Sequence, residues 1–325
     1  MIRFGALGAA KITPDALLKP CDQEPLAKVR LIAARARLRA ETFALQHKIE
    51  GVADDYAALV NDPRIDAVYI ALPITQHHEW TLKALRAGKH VLCEKSFASN
   101  RFQAQEMANL SATTGLILMD AFHYRYHPIF ERAREIYHSQ SLGRILNIHA
   151  EFKVPITDPE DIRMNYATGG GVTMDIGCYP ISWVRHLTSM EPIQIAASAE
   201  TGPKDVDLFL ATEMIFPGEL AITTVGDMRA GVKVSAFIQV IGEAGTMRVN
   251  NPIAPHLGSH IELQLNGQTS REYFSRRTTY NYQLDAFIAA INSRRQPLTG
   301  PEDAVRQMTT IDRCYEAAGL PLRGL

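Results

Sequence analysis

Short apolar segments alternate with helix-forming segments over roughly the first third of the chain. Apolar and β-branched residues are concentrated in six segments of strand length: residues 2–7, 29–34, 51–53, 67–72, 90–94 and 115–120. Segments that favour helix, such as residues 77–87, lie between them. Residues 67–72 show no polar alternation, which is typical of a strand with helices on both faces of its sheet. The alternation predicts an α/β fold with a Rossmann-type, doubly wound parallel sheet.

The pattern changes after Asp120. Residues 145–154 alternate like a strand, and beyond a predicted helix that follows the glycines at residues 169–171, strand-like segments follow one another without helices between them: residues 193–201, 206–216, 219–226, 233–242, 245–250 and 260–264. Such close succession predicts an α+β domain with a large, mostly antiparallel open sheet. At 325 residues two domains are expected. We place them at residues 1–122 and 123–325, with a C-terminal helix that is able to pack back on the first domain.

Composition excludes several classes of protein. The formal net charge of −1 gives no general attraction to nucleic acid or to anionic membranes. No segment approaches the roughly 20 apolar residues of a membrane span. The four cysteines lack metal-site or disulfide-framework spacing, so we expect no metal and reduced thiols. The N-terminus lacks the features of a signal peptide, and a cytoplasmic location follows by elimination.

The first strand leads into a short turn of small residues, Gly8, Ala9 and Ala10, followed by Lys11 and Ile12. Small residues let a pyrophosphate approach backbone N–H groups at a helix N-terminus. The full GxGxxG pattern is not met, because alanine and threonine replace its second and third glycines. The turn is therefore a weak signal that gains weight from its strand–turn–helix setting.

The end of the second strand indicates which cofactor is bound. An NAD site usually has an acid about 20 residues after the glycines, whereas this chain has Arg35, Arg37 and Arg39 there. Guanidinium groups bind a phosphate bidentately. We therefore expect NADP, with NAD less favoured, and assign Arg35 first and Arg37 second to the 2′-phosphate. Arg39 is expected on a solvated basic helix face.

Three consecutive glycines, residues 169–171, precede a predicted helix that carries Asp175 and Tyr179. A spacing of four places these two side chains on one helix face, although Pro180 can kink that helix. The glycines allow a close approach of backbone or ligand. A carboxylate and a phenol there are suitable groups for moving a proton.

Four motifs occur in the same order in a known family. They are the first turn, GKHVLCEK at residues 88–95, the GGGxxxDxGxY helix at residues 169–179, and Glu-Asp-Ala at residues 302–304. Together they resemble the glucose–fructose oxidoreductase/inositol dehydrogenase (Gfo/Idh/MocA) family. The likeness is strongest to its branch with dimeric dihydrodiol dehydrogenase and xylose dehydrogenase, which shares Asp-Ile-Gly-x-Tyr-Pro. The chain departs from the family's Glu-Lys-Pro by having Ser96.

The resemblance implies roles for individual residues. Lys95 and Tyr179 would act at the reacting hydroxyl group with Asp175 nearby, and which of the first two is the terminal acid or base stays open. A nearby ammonium would stabilise a tyrosine phenolate. At the carboxyl edge of the parallel sheet, cofactor contacts are expected from Leu72, Pro73, His77, Glu94 and Lys95. His77 has the alternative of a water-exposed helix residue.

The function that follows is hydride transfer, dependent on NADP(H), to or from a sugar-like secondary alcohol, hemiacetal or ketone. An NAD-linked polyol or trans-dihydrodiol dehydrogenase is the alternative within the same class. A non-catalytic NADP-binding sensor or regulator is the alternative from another class. The expected partners are a small carbohydrate-like substrate and further copies of the chain, as a homodimer or homotetramer. The identity of the substrate lies beyond the sequence.

Overall fold

A parallel sheet of six strands forms the first part of the computed structural model, which describes residues 1–202 and 205–325. The strands are β1 (Ile2–Leu7), β2 (Ala27–Ala33), β3 (Gly51–Val52), β4 (Ala67–Ile70), β5 (His90–Cys93) and β6 (Leu118–Asp120). Their order across the sheet is β3-β2-β1-β4-β5-β6. The order reverses between β1 and β4, and ligands of open α/β sheets bind outside the strand ends at such a switch point.

Helices connect these strands. They are α1 (Lys19–Gln23), α2 (Arg37–His47), α3 (Tyr56–Val60), α4 (His77–Arg86) and α5 (Arg101–Thr114). Asp55 and Asn100 cap α3 and α5, since their side chains accept hydrogen bonds from backbone N–H groups of the first turn. Gly115 ends α5 in the left-handed conformation. These caps fix where each connection turns back towards the sheet.

A second sheet contains eight strands within the described residues. They are β7 (Ile145–Lys153), β8 (Gln194–Thr201), β9 (Asp207–Phe216), β10 (Leu220–Asp227), β11 (Ser235–Gly242), β12 (Gly245–Asn250), β13 (His260–Leu265) and β14 (Gln268–Tyr273). Their order is β14-β13-β12-β11-β7-β10-β9-β8. Neighbouring strands pair antiparallel except for β7 and β10, which are parallel.

Helices α6 (Pro128–His138) and α7 (Cys178–Thr188) pack with this second sheet. A π-helical turn, Thr173–Gly177, leads directly into α7. The turn lies so near β10 that a Cβ atom on Gly226 would come within 2.9 Å of the Gly177 Cα. Glycine at both positions therefore lets the turn pack directly on the sheet.

Two further helices, α8 (Thr279–Ser293) and α9 (Pro301–Ala317), complete the chain. The described residues group into two compact units. The first unit contains residues 1–122 and 280–305, and the second contains residues 123–279 and 306–325. Among the described residues no helix combines the length and the apolar character needed to cross a bilayer. All four cysteines are buried free thiols.

The predicted fold class is confirmed, with a parallel Rossmann-type sheet followed by a large, mostly antiparallel one. Strand β14 was not predicted. Its sequence, QTSREY, is polar and mostly exposed, so it lacks the apolar alternation by which a half-buried strand is recognised. Register with β13, rather than a buried face, accounts for its position at the edge of the sheet.

Candidate active site

The turn after β1 runs against the end of β4. Gly8 has a φ of +101°, and a Cβ atom added there would lie 2.5 Å from the Ala71 carbonyl oxygen. Its N–H donates to the Ala33 carbonyl at the end of β2. The turn is thus fixed against the two strands that flank β1, and glycine is the residue that fits.

A cleft of about 710 Å³ lies beside this turn. Its lining comes from the turn and from α2: Ala9, Ala10, Lys11, Pro14, Ala36, Leu38, Arg39, Thr42, Phe43, Gln46 and His47. Arg39 is exposed on α2, as expected for a residue on a solvated helix face. Its Nη2 donates to the Ala9 carbonyl at 2.9 Å, so the guanidinium links α2 to the turn and lines the cleft.

The other two arginines at the end of β2 differ in their surroundings. Arg37 forms ion pairs with Glu41, at 2.8 Å from Nε to Oε1, and with Asp54. Arg35 is exposed just beyond β2, and its backbone N–H contacts the Tyr56 hydroxyl. Because two carboxylates already engage Arg37, Arg35 is better suited to receive an incoming anion.

His77 connects two loops at the carboxyl edge of the sheet. Its Nε2 lies 2.9 Å from the Leu72 carbonyl oxygen and its Nδ1 lies 2.9 Å from that of Ser96. The ring is 1% exposed, so the alternative of a water-exposed helix residue is wrong. Burial lowers the pKa of His77 to about 4, although the two carbonyl acceptors oppose that shift. His77 thereby fixes the loop before Pro73 to the loop that carries Lys95.

Lys95 lies among acidic side chains of the same unit. Glu94 accepts a hydrogen bond of 2.6 Å from the buried Tyr69 hydroxyl on β4. Asp120, at the end of β6, is 1% exposed, and its Oδ1 has no hydrogen-bond partner among the described residues. Burial raises the pKa of Asp120 well above its ordinary range, Asp303 and Glu94 raise it further, and the Lys95 ammonium opposes the shift. The peptide bond between Lys95 and Ser96 is cis.

The atoms that approach the glycine run belong to the protein itself. A Cβ atom on Gly171 would lie 2.0 Å from Asp207 Oδ1, and one on Gly170 would lie 2.5 Å from the Arg163 carbonyl oxygen. Asp207 is fully buried and accepts hydrogen bonds from the Thr173 backbone N–H, at 2.9 Å, and hydroxyl, at 2.5 Å. The expected close approach is present, and an internal carboxylate makes it.

Asp175 lies in the π-helical turn that follows. Its Oδ2 is 3.5 Å from Arg163 Nη1, and Asp161 binds the same guanidinium through two hydrogen bonds of 2.9 and 3.1 Å. The Asp175 side chain remains partly exposed at 19%. Arg163 therefore holds Asp175 while leaving part of its carboxylate accessible.

Tyr179, in the first turn of α7, is enclosed by aromatic rings. The ring of Phe152 lies edge-on at 5.7 Å, and the rings of Tyr124 and Trp183 each lie 6.2 Å away between centroids. The Tyr179 hydroxyl is 3.3 Å from Nε2 of His123, and the tyrosine is 5% exposed. The ring is thus fixed by packing, and its polar end meets an imidazole.

Two further buried side chains lie near this aromatic group. His186, one helical turn beyond Ser182, is packed in the interior, with Nδ1 2.8 Å from the Tyr124 hydroxyl. Arg125 is buried with its guanidinium over the Phe130 ring, 5.4 Å from the centroid.

Comparison with known proteins agrees with this architecture. Residues 2–122 match the oxidoreductase family with an NAD-binding Rossmann fold, and residues 130–248 match the Gfo/Idh/MocA C-terminal domain. The chain belongs to the Gfo/Idh/MocA oxidoreductase family. The resemblance drawn from the four motifs is thereby confirmed, and the chain is assigned to a family of enzymes.

Individual members of the Gfo/Idh/MocA family align with nearly the whole chain. Trans-1,2-dihydrobenzene-1,2-diol dehydrogenase of Xenopus laevis is 35% identical over 302 residues, 90% of each chain. D-xylose 1-dehydrogenase (NADP(+)) 2 of Haloferax volcanii is 29% identical over 318 residues, 97% of each chain. A 3-ketoreductase of Actinomadura kijaniata, crystallised with NADP and TDP-benzene, is 27% identical with a TM-score of 0.89 over 96% of each chain.

Several residues of this Gfo/Idh/MocA chain escaped the sequence reasoning. Its local sequence gave no signal for the neighbours that folding brings to the predicted residues: Asp120, His123, Arg163, Asp207 and Arg323.

Proposed function

We propose that this chain is an NADP(H)-dependent oxidoreductase that transfers hydride to or from a sugar-like secondary alcohol, hemiacetal or ketone. The observation that carries the proposal is the Tyr179 hydroxyl, held by packed rings and hydrogen-bonded to an imidazole. A fixed, buried phenol with a basic neighbour is suited to acid–base chemistry on a hydroxyl group. The membership of the family supports the same assignment.

The first unit fits a dinucleotide. The turn of Gly8, Ala9 and Ala10 has no side chain beyond a methyl group, and the cleft beside it receives Lys11 and Arg39. Backbone N–H groups of such a turn, with basic side chains near, suit a pyrophosphate. We assign Ile12 to the same subsite because it continues the turn. When bound, NADP(H) supplies the hydride acceptor or donor.

Arginine side chains favour NADP over NAD. Arg35 is exposed at the end of β2, where an NAD site would have an acid. Arg37 is assigned a smaller part in binding the 2′-phosphate, because Glu41 and Asp54 form ion pairs with its guanidinium. The xylose dehydrogenase relative is named for NADP(+), and the ketoreductase was crystallised with NADP, which supports this choice.

The remaining cofactor contacts are assigned to the carboxyl edge of the parallel sheet. Leu72 and Pro73 follow β4, and Glu94 and Lys95 follow β5. His77 is assigned to hold these two loops together through its carbonyl contacts, and so to position the residues that meet the nicotinamide end.

Tyr179 and Lys95 are assigned to the same reacting hydroxyl group. In the oxidative direction the Tyr179 oxygen takes the hydroxyl proton as hydride leaves the carbon. The Lys95 ammonium polarises the substrate oxygen and favours the phenolate form of the tyrosine. In the reductive direction the Tyr179 hydroxyl returns the proton to the oxygen that was the carbonyl of the substrate.

Asp175 is assigned to orient the substrate. Its carboxylate is held by Arg163 and is partly exposed, so it has acceptor capacity left for a substrate hydroxyl. A carboxylate in this role suits polyhydroxylated molecules, which present several donors. This is the physical basis for a carbohydrate-like substrate class.

A screen of substrates and coenzymes tests the proposal. Purified protein is incubated with aldoses, polyols, keto-sugars and trans-1,2-dihydrobenzene-1,2-diol, each with NADP(H) and with NAD(H), while the nicotinamide absorbance is followed. We expect turnover of at least one sugar-like compound and a kcat/KM at least about tenfold higher with NADP(H). A preference for NAD(H), or turnover of the diol alone, would favour the alternative dehydrogenases. NADPH binding without any turnover would favour a sensor.

We also propose that the chain forms a homodimer or homotetramer through the second sheet. On the face of β7 opposite α7, Glu151 bonds Lys153 and Ser235, and His149 stacks near Phe237. Aromatic residues such as Phe237 are enriched at interfaces between subunits. Sedimentation equilibrium tests this, and a monomer at micromolar concentration would contradict it.

A further inference from the structure

His123 makes two side-chain hydrogen bonds in the interior of the second unit. Its Nε2 lies 3.3 Å from the Tyr179 hydroxyl, and its Nδ1 lies 2.7 Å from the Thr279 hydroxyl. The three residues are 3%, 5% and 0% exposed, respectively. The imidazole is therefore oriented from both ends, with one nitrogen directed at the phenol.

His123 is a titratable group within hydrogen-bond distance of the Tyr179 hydroxyl. The rings of Phe152 and Trp183 flank the phenol and do not titrate. The titratable or charged groups of the second unit near His123 include Tyr124, which bonds His186, and the Arg125 guanidinium on the same short helix, His123–Tyr126.

We propose that His123 is a positioning residue that stores the proton of Tyr179 during the reaction. This inference rests on the proposed function, in which Tyr179 is the acid or base. In the neutral ring, Nδ1–H donates to Thr279 and the Nε2 lone pair accepts from the tyrosine O–H. In this tautomer Nε2 is able to take the proton, and the Thr279 hydroxyl, which can donate or accept, is compatible with it.

The proton balance is closed in both directions. In oxidation, the Tyr179 proton moves to Nε2, giving a phenolate and an imidazolium. The phenolate oxygen then takes the substrate hydroxyl proton as the C–H bond breaks and hydride leaves. After product release the imidazolium returns its proton to water. In reduction, His123 first takes up a proton from water, Tyr179 protonates the new alkoxide, and the imidazolium then restores the tyrosine O–H and becomes neutral again.

The distance of 3.3 Å is long for an O–H···N hydrogen bond. Catalytic hydrogen bonds are often long without substrate and shorten when it binds. A second buried histidine, His186, offers a matched comparison, because it bonds the hydroxyl of Tyr124 and not that of Tyr179.

Three variants test the inference: His123→Gln, His186→Gln and Tyr179→Phe. Glutamine keeps a hydrogen-bonding side chain at residue 123 but cannot take up a proton. The rate of D-xylose oxidation by NADP+, or of the aldose oxidised fastest in the screen, is measured as a function of pH.

We expect His123→Gln to lower kcat about 10²-fold at pH 7. Its rate should then keep rising towards the ordinary pKa of tyrosine, near 10. His186→Gln should keep the wild-type pH profile.

A second measurement needs no turnover. Protein with ¹³Cζ-labelled tyrosine is titrated by NMR, and the Tyr179 signal is assigned by its loss in Tyr179→Phe. We expect the Tyr179 signal to follow a histidine titration in the wild type and in His186→Gln, and to lose it in His123→Gln. Circular dichroism and thermal unfolding establish that each variant is folded.

The outcomes separate the two claims. If His123→Gln keeps both the wild-type pH profile and the histidine-dependent tyrosine signal, the stored-proton role is wrong, while a slow Tyr179→Phe still supports the proposed function. If Tyr179→Phe is as fast as the wild type, the proposed function is wrong and the inference falls with it. An unfolded His123→Gln is replaced by His123→Asn, for which the same two results apply.

Discussion

Arg323 Nη2 lies 2.5 Å from Asp207 Oδ1, and the two side chains are 1% and 0% exposed. The guanidinium also lies against the rings of Tyr166 and Tyr315, 4.2 and 4.8 Å from their centroids. Asp207 in turn binds Thr173, at the start of the turn that carries Asp175 and leads to Tyr179. A residue near the C-terminus therefore holds the segment assigned to catalysis.

Removing the charge at residue 323 should destabilise the protein strongly. In Arg323→Met the Asp207 carboxylate stays buried without its cation, and breaking a buried pair in this way costs about 3–5 kcal/mol. Urea unfolding measures the loss. Arg144→Met is the control, because Arg144 pairs with Glu243 at the surface, where a loss of at most about 1 kcal/mol is expected. Equal losses in both variants would contradict a special role for the buried pair.

Arg35 should determine the choice between coenzymes. Arg35→Ala removes a charged hydrogen-bond donor worth about 1.5–3 kcal/mol, so the Kd of NADPH should rise roughly 10–100-fold. The Kd of NADH should stay within about twofold, because NADH has no 2′-phosphate. Isothermal titration with both coenzymes measures the difference. Arg37→Ala serves as the comparison and should have the smaller effect, and the reverse order would exchange the two assignments.

Asp120→Asn should stabilise the protein at neutral pH. Burial raises the pKa of the folded Asp120 well above that of the unfolded chain, so its stabilising contribution is complete below about pH 4 and is lost as the pH rises. Asparagine does not titrate. We therefore expect a gain in the free energy of unfolding of roughly 1–3 kcal/mol at pH 8 that disappears towards pH 4.

Asp66→Asn is the control for Asp120→Asn, because its expected change in stability has the opposite sign. The Arg3 guanidinium lowers the pKa of Asp66, whose carboxylate also accepts from the Arg3 backbone N–H. The stabilising contribution of Asp66 is present above the pKa that this carboxyl has in the unfolded chain. It is lost as the pH falls through the lower pKa of the folded protein. Asp66→Asn should thus destabilise the protein at pH 8. If both variants change the stability in the same direction, the account of Asp120 is wrong.

His77 should make the first unit sensitive to acid. Its folded pKa of about 4 lies below the unfolded value of about 6.5, so the unfolded chain takes up the proton first. The contribution of neutral His77 to the free energy of unfolding is fully present above pH 6.5. The free energy of unfolding should fall by about 3 kcal/mol between pH 6.5 and pH 4. His77→Gln keeps a side-chain N–H donor at this position, does not titrate, and should lose this dependence. His78→Gln, at the neighbouring partly exposed histidine, should keep it, and parallel curves for all three proteins would contradict the assignment.

The fold could be predicted from the sequence because the apolar segments of strand length and the helix-forming segments between them indicate the same architecture. Strands of the first sheet are buried on both faces and therefore appear as continuous apolar segments, as β4 does with all four residues buried. Strand β14 was not predicted, because it is an exposed edge strand and therefore has no apolar pattern to detect.

The site was only partly accessible from the sequence. Lys95, Asp175 and Tyr179 lie in motifs of neighbouring residues, which can be recognised in the sequence without knowledge of the fold. The partners that set their chemistry come from distant positions, such as Arg323 against Asp207, 116 residues apart. Arg39 shows the limit clearly, because its helix position indicated its exposure but not the hydrogen bond that its long side chain donates to the Ala9 carbonyl. Tertiary contacts of this kind leave no periodic signal.

Single-turnover hydride transfer in Tyr179→Phe and Lys95→Met tests the central claim most directly. With NADP+ and the best sugar of the screen, we expect each variant to be slower by at least about 10²-fold. The Kd of Tyr179→Phe for NADPH should stay within about threefold of the wild type, and Tyr137→Phe, on α6, should transfer hydride at the wild-type rate. Wild-type rates in both Tyr179→Phe and Lys95→Met would contradict the assignment of acid–base chemistry to this pair.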